Sequence, residues 1–412
     1  GVDFWDMASR ELQWLNQMWD PAQTRLYYQV GIGDGNGSSI LGDHDVWRLP
    51  QADDRLHVKP GMPEYFVKHR PVFFDGGPYS LISPNLAGRM AADWALCFQV
   101  FHTANPNFAA KCLRNAELIY GRAKITHVGR LTTAAPYDYY PETEWRDDME
   151  LGAAELALAL RIKPLPAGLR HARPAYYVSA AIYWAEAYIH GQGDVADTLN
   201  LYDVSGLAHF EVHHALAGYS GRQAASARRD VLSDLVRQLS SAEKIGRSDP
   251  FGFGLAYNSH EDLTPHALGL SVEAQLYDAA TKTERFAAFG RRELNWVLGT
   301  NAWGSSFVVG LASTFPHCLQ HQVANLSGSL TGRPPVLEGA VVDGPNASSS
   351  FAGLGTVTGM NPCPANGTDQ FRRFSARSVR YWDNVVAYPS TEPADDYTAP
   401  TVPLFADLVA ER

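Results

Sequence analysis

Residues 83–121 read SPNLAGRMAADWALCFQVFHTANPNFAAKCLRNAELIYG. Ser83 followed by Pro84 is a helix start, a capping hydroxyl ahead of a proline whose missing N–H costs nothing in the first turn. Leu86, Met90, Leu96 and Val100 then recur at helical spacing. Asn105 and Pro106 repeat the start signal, and a second helical run extends to about residue 121. Two helices joined by so short a turn form an antiparallel hairpin. Cys97 and Cys112 lie on its two arms and can face each other across it, although four buried thiols remain an alternative reading of Cys97, Cys112, Cys318 and Cys363.

The same grammar recurs along the chain. Trp5, Ala8, Leu12, Leu15 and Trp19 form an apolar stripe, and further helical runs are predicted near 147–161, 175–190, 205–216, 222–240, 265–281, 283–298 and, more weakly, 400–410. Thr264 with Pro265 opens one of them, and Gly299 closes another. Strand-like alternation is scarce. Helix pairs repeated around a circle predict an all-α (α/α)6 toroid with long rim loops; an open solenoid is disfavoured because no repeat of fixed length is present. Between the helices lie long stretches rich in glycine, proline and rings, at 20–83, 122–146, 241–264 and 300–398. Loops that long in a compact domain usually carry function. No linker divides the chain, so residues 1–412 are expected to form a single domain.

Composition narrows the function. Apolar residues at 45% and charged residues at 19% are globular proportions, and no apolar run approaches the roughly 20 residues of a spanning helix. A formal charge of −10 argues against a nucleic-acid partner. Ten Trp, 19 Tyr and 18 Phe exceed what a core of this size requires, as they would if some rings faced a neutral ligand such as a sugar. Four cysteines suit two disulfide staples in a secreted, extracellular enzyme. The chain opens on Gly1, which predicts that it is a piece of something longer.

The most informative stretch is Tyr381-Trp382-Asp383-Asn384-Val385-Val386-Ala387-Tyr388-Pro389-Ser390-Thr391-Glu392-Pro393-Ala394-Asp395-Asp396-Tyr397-Thr398-Ala399. Two carboxylates, Asp383 and Glu392, are framed by Tyr381, Tyr388 and Tyr397. Apolar surroundings raise a carboxyl's pKa, which lets a general acid hold its proton near neutrality. A glycosidase needs one such acid and a second carboxylate.

At this stretch the chain resembles glycoside hydrolase family 9, the cellulase family. That family's C-terminal signature is aromatic, any, Asp, four residues, aromatic, three residues, Glu, any, small, three residues, Asn, small. Tyr381, Asp383, Tyr388, Glu392, Ala394 and Ala399 fill it in register, with Thr398 replacing the Asn. The resemblance implies that Glu392 is the general acid and that Asp383 supports the site. Asn295 to Asn301, Ser306 to Gly310, and Pro316-His317 are similar to the family's "ILG-N … S-VVG … PHHR" region, which implies that His317 reaches the sugar. Cys318 and Leu319 replace the second His and part of the Arg context. Glu338 to Pro345 resembles the "GALVGGP" turn.

Resemblance continues through the front half. Phe4 to Leu15 is similar to the family's second helix, Tyr27 to Gly31 to the strand-like piece after it, and Gly42 to Pro50 to the "DH..W..PE" loop whose His and Trp border the cleft. Tyr139-Tyr140-Pro141 with Arg146-Asp147-Asp148 resembles a mid-chain helix start. His44, Trp47, Tyr139, Tyr140, Tyr257, Trp303 and Tyr388 are the expected sugar-binding side chains. The family's catalytic base lies in an Asp-Ala-Gly-Asp turn before the second helix, and no such turn occurs in residues 1–412. The base and one helix are therefore expected upstream of Gly1, with Asp43 and Asp45 as a weaker substitute.

The resulting expectation is hydrolysis of β-1,4-linked glucan or related oligosaccharides with inversion. The alternatives are a non-catalytic carbohydrate-binding relative and a lyase on the same fold. No cofactor is required. Loops at 33–45 and 194–206, crowded with Asp, Asn and Gly, are candidates for a structural calcium. His209, His213, His214, His260 and His266 are read as solvated or core histidines rather than zinc ligands. The glycine-rich 31–37 segment lacks the Lys-Ser/Thr ending of a phosphate loop.

Overall fold

The computed structural model describes residues 4–135, 140–191, 199–258, 262–327 and 337–410. The chain forms two compact units, one of Gly1–Val30, Pro71–Asp197 and Tyr202–Val236, the other of Gly31–Arg70, Thr198–Leu201 and Arg237–Arg412.

In the first unit the sequence-predicted hairpin is present as the helices Pro84–Phe101 and Pro106–Tyr120. Asn105 caps the second, its side chain accepting from Phe108 N at 3.3 Å. Ser83 stands at the cap position of the first, but its hydroxyl is used elsewhere, donating to Asn85 Oδ1 at 2.7 Å and accepting from Thr132 N at 3.0 Å. The Cys97–Cys112 disulfide staples the arms, and closing a 15-residue loop stabilises by about 3 kcal/mol. The helix Arg146–Ala159 crosses Pro84–Phe101 so closely that a Cβ on Gly88 would meet the Asp148 backbone at 2.4 Å. Only glycine fits that crossing. Phe4–Gln17 is helical as expected, but Trp19 leaves its stripe for a short strand that pairs with Arg25–Val30, which in turn pairs with Val72–Asp75. This three-stranded antiparallel sheet was legible only in its middle strand.

Charge is buried in this unit. Arg89 bonds both Glu142 and Asp148. His209 lies between Glu150, at 2.6 Å, and Asp234, at 3.4 Å. Burial disfavours the imidazolium, yet the two carboxylates outweigh it and push the His209 pKa up to about 10. His209 is thus a core cation, as expected of a structural histidine.

The second unit carries the helices Leu263–Thr281 and Ala287–Val297 together with the long loops. The helix Arg222–Gly246, longer than predicted because no breaker follows residue 240, is shared between the units, which divide after Val236. Rings fill the interior of the second unit. Phe253 stacks on Trp296 at 3.9 Å, and the line continues through Phe307, Tyr381 and Phe371 at successive centroid distances of 5.3, 5.0 and 4.8 Å. These five rings pack on one another in the core.

Candidate active site

The signature stretch and the groups around it belong to the second unit. The stretch leaves the strand Val379–Arg380 and ends in two short helices, Tyr388–Thr391 and Asp395–Thr398, with Glu392 in extended backbone between them (φ −72°, ψ 123°). An extended residue between helical turns projects its side chain out of both. The backbone is held from outside: Glu392 O accepts from Asp343 N at 3.3 Å, and Thr391 O from Gln320 N at 3.1 Å.

Glu392 is half-buried, and burial together with Asp396 pushes its pKa up to about 7. Asp343, Asp262 and Asp396 complete a group of carboxyls around it. Asp343 is buried, and burial, then Glu392 and Asp262, raise its pKa well above the usual range while the Tyr397 hydroxyl donates to it. Its Oδ2 has no hydrogen-bond partner among the described residues. Burial pushes Asp396 up to about 6. Two buried carboxyls this close cannot both ionise cheaply, so the group retains protons near neutrality. Sequence reasoning missed Asp343 as a member. The signal was available, because it occupies the place of the first glycine of the "GGP" in the turn that residues 339–345 resemble.

Asp383 sits elsewhere in the stretch and does a different task. Its carboxylate accepts from His317 N at 3.1 Å and Cys318 N at 2.9 Å, so it fixes the backbone that presents the 317 imidazole. Burial raises its pKa, and those two backbone bonds oppose the rise. The His317 ring lies on Phe315 at 4.5 Å, nearly parallel. Cys318 is bonded to Cys363, and this disulfide packs with Trp47 and Val385. His317, Cys318, Pro364, Asn366, Thr368, Gln370 and Asp383 line a hollow of about 360 Å³. Glu392 is not among them.

The expected sugar platform divides. Tyr388 is 46% exposed and one helical turn before Glu392, and Tyr140, in the first unit, is 45% exposed. Trp47 and Trp303 are 3% and 4% exposed, so neither ring has a face open to a sugar. The disulfide core claims the first, and Tyr257, Phe307 and Tyr381 enclose the second. Tyr257 is itself half-buried, its hydroxyl accepting from Trp296 Nε1 at 3.3 Å. His44 is exposed, 3.8 Å from Asp34. Tyr139 and His260 lie outside the described residues.

Asp45 is committed to its own loop, accepting from Gly35 N and Gly42 N at 2.8 Å each. Asp43 is exposed, and its backbone oxygen accepts from Gln322. Among the described residues no three His, Cys, Asp or Glu side chains are grouped to hold a metal ion. In the 33–45 loop the Asn36 side chain is spent on Ser38, Ser39 and Ile40 N–H groups, and part of 194–206 is outside the described residues.

A mostly helical chain whose C-terminal signature carries a proton-retaining carboxyl and, in the same stretch, an Asp that fixes the backbone of a His belongs to the class of helical glycosidase folds. The family model of glycosyl hydrolase family 9 matches residues 3–405, and the chain belongs to that family. Endoglucanase 12 of Oryza sativa subsp. japonica is 24% identical over 377 residues, 79% of this chain and 54% of its own length. Endoglucanase 3 of the same plant is 30% identical over 374 residues, 78% and 64%. The chain thus spans little more than half the length of these curated relatives. Among solved structures, a thermostable endoglucanase from Alicyclobacillus acidocaldarius aligns with a TM-score of 0.68 at 17% identity over 98% of this chain and 64% of that one. A C. cellulolyticum cellulase in complex with cellobiose aligns with a TM-score of 0.65 at 17% identity over 99% and 78%. These likenesses show the fold, the (α/α)6 toroid of the family.

Proposed function

We propose that the protein hydrolyses β-1,4-linked glucan or related oligosaccharides with inversion, and that Glu392 is the general acid. One observation carries this reading: burial and Asp396 lift the Glu392 carboxyl to about 7, so that it is still protonated when a bridging oxygen needs the proton. Asp383 acts by holding the 317–318 backbone, and through it the His317 ring that would meet the sugar. Tyr388, four residues before Glu392, is 46% exposed. The family match runs through both compact units, which supports treating them as one catalytic domain. Two disulfides suit an extracellular site of action, and among the described residues no helix is long and apolar enough to cross a membrane.

Inversion also needs a carboxylate to activate water, roughly 6.5–9.5 Å from the acid. The resemblance gives that role to an Asp-Ala-Gly-Asp turn which residues 1–412 do not contain, and sugar binding without turnover is the competing reading. Reducing-sugar release from barley glucan or cellopentaose, compared with Glu392→Gln, decides. The proposal expects release by the protein and a loss of about 10² to 10⁴ in the variant. Equal release by both removes Glu392 from the mechanism, and binding without release supports the competing reading.

A further inference from the structure

A larger hollow, about 750 Å³, opens beside the first, lined by Ser348, Thr368, Asp369, Arg372, Arg380 and Trp382 among others. Its volume is in the roughly 300–1,000 Å³ range of small-molecule sites. Thr368 lines both hollows, and the consecutive residues Trp382 and Asp383 each line one. A sugar chain seated against His317 and Asp383 would therefore bring a neighbouring unit to Trp382.

The charge of this hollow is out of keeping with the chain. Two arginines, Arg372 and Arg380, line it against the single acid Asp369, in a protein of formal charge −10. Arg380 is built in: it pairs with Asp369 at 2.9 Å, lies 4.1 Å over the Trp382 ring and 5.3 Å from that of Phe351. Asp369 is thereby neutralised. Arg372 lines the hollow, is exposed, and makes no ion pair with a described residue. A hydroxyl of a neutral glucan accepts single bonds from a guanidinium, whereas a carboxylate accepts two parallel, charge-assisted bonds from its fork. Ser348 and Thr368 supply hydroxyls for the rest of a sugar ring.

We propose that this hollow is a subsite for an acidic sugar, a hexuronate unit whose carboxylate is received by Arg372 while its ring lies near Trp382. The proposal rests on the glycan-binding reading above and narrows its substrate class to glucans bearing carboxylate. The test is calorimetric affinity for cellotetraose and for its C6-oxidised, β-1,4-linked uronate counterpart, so no turnover is needed. The carboxylated ligand is expected to bind about tenfold tighter at low salt, a preference worth one charge-assisted pair. In Arg372→Gln the ratio should fall to near one. In Arg373→Gln it should persist, because Arg373 lies 4.5 Å over Phe374 and does not line the hollow. Equal affinity for both ligands overturns the subsite, as does a preference that survives Arg372→Gln or is lost equally in Arg373→Gln. Failure of the glycosidase reading has a different signature, the absence of release from any glucan with these affinities intact.

Discussion

At the scale of single residues, the chemistry turns on carboxyls with unequal environments. As the proposed general acid, Glu392 must be protonated to act, so kcat/KM is expected to fall by about tenfold per pH unit above a midpoint near 7. Asp396 is the charge that helps to hold this midpoint up. Asp396→Asn removes it, and the alkaline limb of the pH profile moves to lower pH; a limb that stays or moves upward contradicts the assignment. The Tyr381 to Ala399 stretch was legible in the sequence as a family signature because its spacing is specific, and the acid role proposed for Glu392 follows from that resemblance. Asp343 was legible only as the residue that interrupts the "GGP" of its turn, and Asp262, which joins the group through Asp343 and Asp396 from another segment, was not legible. Trp47 and Trp303 misled for a related reason: a ring in a long loop is equally good for a sugar face or a disulfide core, and only packing decides.

Elements explain why these groups hold their places. The helix Ala287–Val297 buries Glu293 against the loop at Gly254, whose N–H donates to Oε1 at 2.9 Å. Burial pushes the Glu293 pKa up to about 8 from an ordinary 4.5, outweighing that bond. A carboxyl raised in the folded state stabilises only while protonated, so its contribution is complete below about 4.5 and lost as pH rises through about 8. Glutamine does not titrate. The Tm of Glu293→Gln should therefore gain on that of the parent between pH 5 and pH 8, and a difference that is flat or of the opposite sign contradicts the sign of the shift. Helix existence was largely legible, because Ser-Pro, Asn-Pro and Thr-Pro starts and apolar spacing are local signals. Strand pairing was not: Trp19 to Asp20 and Val72 to Asp75 become strands only by pairing with Arg25–Val30, a partner distant from the last of them in sequence.

For the molecule as a whole, the toroid was foreseen from paired helices and holds through family membership, while the division into two compact units was not foreseen, since no Pro- or Gly-rich linker separates them and both are assembled from discontinuous segments. The chain is acidic overall yet locally basic at 372–380, a contrast that its net charge alone conceals. The whole mechanism depends on Glu392 giving up a proton to a leaving oxygen. A substrate whose leaving group needs no proton isolates that step. Hydrolysis of 2,4-dinitrophenyl β-cellobioside and of cellopentaose by Glu392→Gln, each relative to the parent protein, should diverge: near-parental release of dinitrophenolate, with loss of about 10² to 10⁴ on cellopentaose. Equal losses on both substrates, or no loss on cellopentaose, would contradict it.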